Sequence, residues 1–324
     1  MSASDWKVPG ALQPKADDYE FDLERVLSSV LQISSIVPET AFSAATLGTE
    51  RAGNAVVIGH DGLVLTIGYL VNEADSIWLR ANDGRVARGH VLGIDQSTGF
   101  ALVQPLGELG APGLPLGDSD EAQIGEELIF AGGGGRRRSV AARVVARQQF
   151  AGYWEYLVEQ AIFTAPSHPN WGGGGLISAK GELLAIGSLQ LEQARGGGKT
   201  ENINMSVPVN LLKPVMQDII KRGGPVAPPR PWLGVYATEV ERKVVLMGIV
   251  DRGPAKKADL RTGDVVLAVG GSPVVDLASF YKRLWGLGDA GVDAPLTIYR
   301  DGRRHDVVIP TADRNRVSSA PRLH

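Results

Sequence analysis

Short apolar runs separated by turn residues dominate the sequence from about residue 54 to residue 190. Runs such as NAVVIGHDGLVLTI and SIWLRANDGRVARGHVLGI contain the breaks HDG and NDG, which are typical of tight turns between antiparallel strands. Many short strands at this spacing indicate a barrel or a sandwich, because each strand can pair with a neighbour through a short connection. We therefore expect a mainly β fold over this region.

A change of period marks the end of the β region. In VPVNLLKPVMQDIIKRGG, residues 207–224, the apolar residues Leu211, Val215 and Ile219 recur every four positions. This spacing is typical of one face of a helix, and the glycine pair that ends the stretch is a common helix stop. We therefore expect a helix that closes the β domain.

A proline-rich stretch, PVAPPRP, divides the chain. Such a stretch is a stiff linker and a natural domain boundary. Beyond it, strand patterns mix with two short helical stretches, PAKKADL and DLASFYKRLWG, which predicts a small α+β domain. The predicted organisation is an N-terminal polar segment 1–28, a β domain 29–224, a linker 225–231, a small domain 232–312 and a C-terminal tail 313–324. Residues 1–20 of the polar segment are expected to be loose.

Composition excludes several classes of function. A chain of 324 residues suits two domains, and its net charge of −3 gives no reason to expect nucleic acid as a partner. The absence of cysteine excludes disulfides, thiol catalysis and cysteine-type zinc sites. The five histidines lack metal-ligand spacing, so we expect neither a metal nor a cofactor.

The sequence also predicts where the protein is located. No run approaches the roughly 18 apolar residues that a membrane-spanning helix needs, so we expect no membrane span. The start MSASDWKVPGALQPKADDYEFDLERVL lacks a basic region followed by an apolar one. We therefore expect a soluble, cytoplasmic protein.

Four consecutive glycines, Gly172 to Gly175, stand in the stretch APSHPNWGGGGLISAKGELLAIGSL at 165–189. A tight glycine turn before a strand is where some proteases place a nucleophilic serine, yet this turn contains no serine. Taken alone, four glycines are typical of a plain turn between strands.

Five segments, in chain order, change that interpretation. Together they resemble the HtrA/DegP-type serine proteases over about residues 29–312. The segments are GNAVVIGHDGLVLTIGYLV, DGRVARGHVLGIDQSTGFALVQ, PLGDSDEAQIGEELIFAGG, MSVPVNLLKPVMQDIIKRG and GPAKKADLRTGDVVLAVGGSPV. The resemblance implies a chymotrypsin/trypsin-like double β-barrel over 29–224 and a small α+β PDZ domain over 232–312. Relatives in that family are often extracytoplasmic.

All three positions that match the family's catalytic triad are substituted. The family's histidine lies in a T-x-x-H-V-V pattern, and the matching stretch TIGYLV has Tyr69 there. Its aspartate matches Gly99 in DQSTGFAL, and its serine in G-N-S-G-G matches Gly172 in NWGGG. We expect no catalytic residue at these positions.

The substitutions remove the chemistry of acyl transfer, which needs a hydroxyl, an imidazole that takes its proton and a carboxylate that orients the imidazole. Gly172 has no side chain, Gly99 can orient nothing, and a tyrosine that titrates near ~10 is a poor base at neutral pH. We therefore interpret the chain as a pseudoprotease.

An alternative stays open at this point. The hydroxyls of Ser167, Ser97 and Thr98, together with His168 or His60, leave room for an active serine-type endopeptidase with a non-standard nucleophile and base. A lone histidine in a turn is more often solvated than catalytic, which makes this the weaker interpretation.

The PDZ resemblance implies a function that survives without the triad. A PDZ domain adds a chain end as a strand at a sheet edge, and backbone amides of a short loop hold the terminal carboxylate. The stretch WLGV matches the family loop x-L-G-[FVI], and two apolar residues four apart on the following helix are expected to face the groove. The predicted peptide-binding residues are Trp232, Leu233, Gly234, Val235, Phe280 and Leu284.

We therefore expect a polypeptide or a protein C-terminus as the partner, bound by a chaperone, an adaptor or a regulatory scaffold. Members of the resembled family tend to trimerise through the protease domain. The resemblance thus also implies a homotrimer, or a mixed oligomer in which this chain regulates an active relative.

Overall fold

The computed structural model describes residues 6–59, 61–195 and 198–316. These residues form two compact units. The first unit contains 6–148 and 160–226, and the second contains Gln149–Glu159 together with 227–316. The segment Gln149–Glu159, here called the hairpin tip, thus belongs to the second unit although the chain on both sides of it belongs to the first.

A closed barrel of six strands begins the first unit, in the order β1-β2-β3-β6-β5-β4. Neighbouring strands pair antiparallel, and their inward residues fill the interior; Leu65, Leu79 and Leu102 are fully buried. The strands are β1 Val30–Ile36, β2 Glu50–Ile58, β3 Leu63–Ile67, β4 Ser76–Arg80, β5 Val86–Ile94 and β6 Phe100–Pro105.

A second closed barrel follows, in the order β10-β11-β12-β9-β8-β7. Its strands β8 and β9 are the arms of the long hairpin that ends in the hairpin tip. The strands are β7 Glu127–Ala131, β8 Ser139–Gly152, β9 Tyr156–Ala165, β10 Gly175–Ile177, β11 Leu183–Arg195 and β12 Lys199–Pro208.

The helices of the first unit are short: α1 Leu23–Ser28, α2 Ala44–Leu47 and α3 Met216–Arg222. The N-terminal segment is not loose, because its apolar Val8 is 2% exposed in the core of the second barrel. The amide of Val8 donates to the carbonyl of Arg137 at 2.9 Å. The buried Val8, its backbone hydrogen bond and the edge contact of Trp6 with His168 therefore hold a segment whose composition is mostly polar.

The helix predicted over 207–224 is shorter than its apolar spacing suggests. Strand β12 continues to Pro208, where it pairs with β11, and the helix begins only after Pro214. Ile219 is fully buried, whereas Leu211 is 38% exposed. Sheet pairing and a proline outweigh the helical period at the start of the stretch, since proline in a helix interior removes a backbone hydrogen bond.

The second unit contains a sheet in the order β13-β14-β15-β17-β18, with β16 beside β15. Helix α5 packs its apolar face against this sheet, and a capping box between Asp276 and Ser279 begins the helix. The elements are β13 Val235–Val240, β14 Lys243–Ile249, α4 Pro254–Lys257, β15 Val265–Val269, β16 Ser272–Pro273, α5 Leu277–Trp285, β17 Asp293–Arg300 and β18 Arg303–Pro310. Two β-barrels and a small α+β sheet confirm the predicted mainly β fold class.

Candidate functional site

The glycine turn, residues 172–175, connects β9 to β10 and is held by β2. The carbonyl of Gly172 accepts from Asn54 twice, from the backbone amide at 2.8 Å and from Nδ2 at 3.1 Å. Gly173 has φ +74°, and a Cβ there would lie 1.8 Å from the carbonyl oxygen of Asn54. The turn therefore requires glycine at 173 for both its backbone angle and its close approach to β2.

Tyr69 and Gly172 lie side by side. A Cβ on Gly172 would stand 2.6 Å from the Tyr69 hydroxyl, so the phenol occupies the space that a side chain at 172 would need. The hydroxyl donates to the carbonyl of Ser188 at 2.9 Å. Burial raises the pKa of Tyr69 further above its ordinary value. At neutral pH this group stays protonated and takes no proton from a nucleophile.

Gly99 serves a turn between β5 and β6. It has φ +81°, its amide donates to the carbonyl of Asp95 at 2.7 Å, and its carbonyl accepts from Gly68 at 2.6 Å. The carboxylate of Asp95 closes the same turn, because it accepts from the amide of Ser97 at 2.9 Å and from Thr98 Oγ1 at 2.8 Å. The carboxylate is thus committed to its own loop.

The other candidates for a substitute site are also engaged. Ser167 Oγ accepts from Gln190 Nε2 at 3.0 Å. His168 is fully buried; its Nδ1 accepts from the amide of Asn170 at 3.1 Å, so Nε2 carries the proton and donates to the carbonyl of Arg138 at 2.8 Å. Burial lowers the pKa of His168, which keeps the ring neutral. His60 lies outside the described residues.

The amides around the glycine turn are bonded within the protein as well. The amide of Asn170 meets His168, that of Gly173 meets the carbonyl of Gly187 at 2.8 Å, and that of Gly174 meets the carbonyl of Trp171 at 3.1 Å. An oxyanion hole needs N–H groups aimed at the reacting oxygen, and these three are aimed elsewhere.

The described part of the chain contains neither a cluster of metal ligands nor a membrane-spanning helix. Across residues 6–59, 61–195 and 198–316, no group of three or more histidine, aspartate or glutamate side chains is placed to hold a metal ion. Within those same ranges no helix has the length and apolarity to cross a bilayer.

The second site is the carboxylate loop, residues 232–235, which leads into β13. Its amides converge on the side chain of Glu155 in the hairpin tip. Glu155 Oε1 accepts from the amides of Gly234 at 2.8 Å and Val235 at 3.0 Å, and Oε2 accepts from Leu233 at 3.1 Å. Gly234 has φ +78°, which turns successive N–H groups toward one point. The loop is a built receptor for a carboxylate.

Tyr281 and Arg314 form hydrogen bonds to the backbone of the hairpin tip around Glu155. Glu155 is 7% exposed, and its amide donates to the hydroxyl of Tyr281 on α5 at 3.3 Å. The same hydroxyl donates to the carbonyl of Gly152 at 2.8 Å, and Arg314 Nη1 donates to the carbonyl of Trp154 at 3.3 Å. Helix α5 and the residues after β18 therefore hold the hairpin tip in place.

Burial disfavours the charged forms of Glu155 and Arg314, and their contacts offset this cost only in part. Burial raises the pKa of Glu155, while the three loop amides and the nearby Arg314 oppose the rise. Burial likewise lowers the pKa of Arg314, and the Glu155 carboxylate opposes that shift. The two groups thus stabilise each other's charge in a site where Glu155 is buried.

The structure brings together some of the predicted peptide-binding residues. The amides of Leu233, Gly234 and Val235 face one carboxylate, whereas the amide of Trp232 donates to the carbonyl of Ala312 at 3.1 Å. Phe280 and Leu284 are fully buried in the core of the second unit, under the groove. Their contact with a peptide stays a prediction.

Sequence reasoning missed Glu155, Tyr281 and Arg314. Tyr281 follows the predicted Phe280 on the same helix, so the helical pattern alone marks it as a core residue. Glu155 is an acidic residue inside the aromatic run YWEY, and Arg314 lies in the predicted tail 313–324. No local pattern connects either of them to the loop at 232–235.

Comparisons with known proteins bear on the domain organisation of the chain. The trypsin-like peptidase domain family matches residues 53–186, and the PDZ domain family matches residues 231–311. A protein named "Probable periplasmic serine endoprotease DegP-like" from Pseudomonas putida is 30% identical over 273 residues, which is 80% of this chain and 56% of that protein. A protein of the same name from Halomonas elongata is 28% identical over 274 residues, covering 81% of this chain and 56% of its own length. The chain spans about half the length of the curated relatives it matches.

Solved structures show the same fold. The structure titled "HtrA-type protease AlgW with tripeptide" has a TM-score of 0.54 at 22% identity, over 92% of this chain and 97% of the other. A serine endoprotease from Yersinia pestis has a TM-score of 0.51 at 18% identity, over 90% of this chain and 98% of that one. At these identities the likeness bears on architecture, a trypsin-like domain followed by a PDZ domain.

The names of the relatives correct one expectation. The predicted cytoplasmic location is wrong, because relatives from Pseudomonas putida and Pseudomonas fluorescens are named periplasmic and point to an extracytoplasmic location. That expectation rested on the composition of the first residues. In a chain that spans about half of its relatives, those residues carry no information on the compartment.

Proposed function

We propose that this chain, an HtrA/DegP-like serine protease homologue with a trypsin-like peptidase domain and a PDZ domain, hydrolyses no peptide bonds and binds polypeptide chain ends. It would act as a chaperone, an adaptor or a regulatory scaffold. The observation that carries the proposal is the convergence of three backbone amides, from Leu233 to Val235, on one carboxylate.

Loss of hydrolysis is supported by the contacts at the triad positions. Tyr69 fills the space beside Gly172 and stays protonated, and Gly99 offers no carboxylate. In a protease of this type, loss of the nucleophile alone lowers turnover about 10⁶-fold. The hydroxyl of Ser167 accepts from Gln190, an amide that cannot take its proton, and the hydroxyl of Thr98 donates to the Asp95 carboxylate that closes the same turn.

Binding of a chain end is supported by the position of the loop beside β13. This strand stands at the end of the sheet order, so it pairs along one edge with β14, and its other edge is met by the hairpin tip, through the bond from Ala237 to Tyr153, and not by another described strand of the sheet. Main-chain hydrogen bonds along that edge and amides around the carboxylate are the two elements of strand addition. The solved relative whose title names a tripeptide is a peptide-bound protein of the same architecture.

Hydrolysis is tested with purified chain and unfolded casein, with an active HtrA-type protease as the positive control. We expect no cleavage over a day at neutral pH. Cleavage that disappears in Ser167→Ala or Thr98→Ala would contradict the proposal and support the alternative of a non-standard nucleophile.

Chain-end binding is tested by fluorescence polarisation with peptides that end in a free carboxylate and with the same peptides amidated. Because Glu155 holds the loop, the measurement uses both the unaltered chain and Glu155→Ala. We expect the free acids to bind Glu155→Ala and the amides to bind at least about tenfold more weakly, since an amide loses the charge-assisted hydrogen bonds. Equal binding of acids and amides would contradict the PDZ mode.

Assembly is a separate part of the proposal. A homotrimer, or a mixed oligomer with an active relative, rests on the family resemblance alone. Native mass spectrometry of the purified chain distinguishes a monomer from a trimer, and co-expression with an active relative tests the mixed form.

A further inference from the structure

We propose that the hairpin tip Gln149–Glu159 is an intramolecular ligand of the carboxylate loop, with the side chain of Glu155 in the place of a chain-terminal carboxylate. An external chain end then binds only after it displaces the tip. This inference rests on the proposed binding of chain ends and adds how that binding is controlled.

The side-chain carboxylate of Glu155 accepts hydrogen bonds from three amides of the carboxylate loop. Both oxygens of Glu155 are used, one by the amides of Gly234 and Val235 and the other by the amide of Leu233. A chain-terminal carboxylate has the same two oxygens and the same charge, so it would compete for the same three donors. The loop cannot hold both at once.

One backbone hydrogen bond of the hairpin tip accompanies the carboxylate contact at the spacing that an added strand would show. The amide of Ala237, two residues beyond Val235 on β13, donates to the carbonyl of Tyr153 at 2.8 Å. Tyr153 lies two residues before Glu155, so the hydrogen bonds advance by two residues on each chain and in opposite directions. A two-residue step is the repeat of a β-strand edge. Tyr153 to Glu155 form the turn between β8 and β9, and this turn places one carbonyl and one side-chain carboxylate where a bound peptide would place a carbonyl and its terminal carboxylate.

Helix α5 supplies the other wall and is also occupied. Tyr281 bridges the amide of Glu155 and the carbonyl of Gly152 through its hydroxyl. Leu157 of the hairpin tip is 9% exposed and lies in the same apolar cluster as Leu233 and Phe280. The groove between β13 and α5 is thus filled by polar and apolar contacts of the chain's own residues.

Competition by a tethered ligand has a calculable consequence. A short tether presents its ligand at an effective concentration of the order of millimolar, and the apparent affinity for an outside ligand falls by the fraction of open loops. We therefore expect removal of the Glu155 carboxylate to strengthen binding of an external chain end by about tenfold or more. Since β8 and β9 are strands of the second barrel, displacement would also release the end of a barrel hairpin.

The test uses a fluorescein-labelled peptide, FAGYWV, in which residues 150–154 of the chain are followed by valine with a free carboxylate. Its affinity is measured for the unaltered chain, for Glu155→Ala, for Glu155→Gln and for the control Glu192→Ala, which removes an exposed carboxylate on β11. We expect Glu155→Ala to bind about tenfold tighter or more than the unaltered chain, Glu155→Gln to lie between them, and Glu192→Ala to match the unaltered chain.

A second measurement needs no variant. Hydrogen exchange of the unaltered chain is followed with and without saturating peptide. We expect exchange in 149–159 to speed up when the peptide binds, while the amides of 233–237 stay protected because one ligand replaces another. This readout holds even if Glu155→Ala folds poorly.

The outcomes separate the two proposals. Equal affinity of the unaltered chain and Glu155→Ala, with unchanged exchange in 149–159, would overturn the intramolecular ligand and leave chain-end binding intact. If no variant binds the peptide but Glu155→Ala loses protection at 233–237, the internal contact stands and chain-end binding fails. If the peptide fails to bind and 233–237 exchange alike in both proteins, both proposals fall.

Discussion

The glycine turn at 172–175 and the carboxylate loop at 232–235 are both built around a glycine with positive φ, Gly173 and Gly234. In the glycine turn, amides are turned inward and bonded to carbonyl groups of the barrel. In the carboxylate loop, three successive amides are turned toward a carboxylate. The same local geometry therefore supports the barrel in one region and holds the Glu155 carboxylate in the other, because the partner of the amides differs.

The largest expected effect tests the structural role of the glycine turn. Gly173→Ala places a Cβ at 1.8 Å from the carbonyl oxygen of Asn54, at φ +74°. We expect a loss of about 4 kcal/mol or more in the free energy of unfolding, or no folded protein, because backbone has to move.

The matched control is Gly198→Ala. This glycine also has φ +74°, but nothing lies within 4 Å of its added Cβ. We expect a cost of about 1 kcal/mol, from the backbone angle alone. Urea unfolding of the two variants measures the difference, and equal costs would show that the turn does not depend on its close approach to β2.

The next effect concerns the hydroxyl that joins α5 to the hairpin tip. Tyr281→Phe leaves the carbonyl of Gly152 and the amide of Glu155 without this partner. We expect the second unit to lose about 1–3 kcal/mol, the cost of unpaired buried polar groups, and the peptide FAGYWV to bind more tightly. Tyr299→Phe, on an exposed residue of β17, is the control and should change neither urea unfolding nor peptide affinity. Weaker peptide binding in Tyr281→Phe would indicate that the hydroxyl serves the peptide instead of the tip.

The pH dependence of peptide binding reports on Glu155 in the same region. Its pKa is raised in the docked state by burial, with Arg314, the Tyr281 hydroxyl and the three loop amides around it. A raised pKa means that the docked tip holds its proton more tightly than the free tip, so docking gains free energy as pH falls through the raised pKa. The whole gain in the free energy of docking is present below the ordinary glutamate pKa of about 4.3.

We therefore expect peptide affinity of the unaltered chain to fall as pH is lowered from 7.5 toward the ordinary glutamate pKa of about 4.3, and that of Glu155→Ala to stay flat. The carboxylate of the peptide titrates near ~3.5, below this window. An affinity that rises as pH is lowered over this window in the unaltered chain would mean that the docked carboxylate is stabilised in its charged form, contrary to the expected direction.

The smallest expected effect is at the rim of the hairpin tip. Lys282 on α5 forms an ion pair with Glu159 at 3.0 Å, and both side chains are about half exposed. We expect Lys282→Ala to change peptide affinity less than about twofold, because exposed ion pairs contribute little. A change in peptide affinity as large as that of Glu155→Ala would show that the ion pair at the rim, and not the carboxylate loop, anchors the tip.

Much of this protein was predictable from local pattern. Alternating apolar runs with turn residues report strand burial directly, so the mainly β class followed from the sequence. The triad positions Tyr69, Gly99 and Gly172 were identified because each stands in a short segment whose order along the chain matches a known family. The carboxylate loop was located in the same way. Helix length over 207–224 and the burial of Val8 were not, since pairing of β12 with β11 shortened the helix and packing in the core of the second barrel buried Val8.

The sequence alone thus determined the fold class, and its family resemblance gave the expectation that proton-transfer groups are missing and the position of a candidate carboxylate loop. Only the tertiary structure showed which carboxylate meets those amides. Glu155 lies 78 to 80 residues from its three donors along the chain. No periodicity or spacing encodes a contact of that range, because it depends on where the long β8–β9 hairpin ends once the chain has folded.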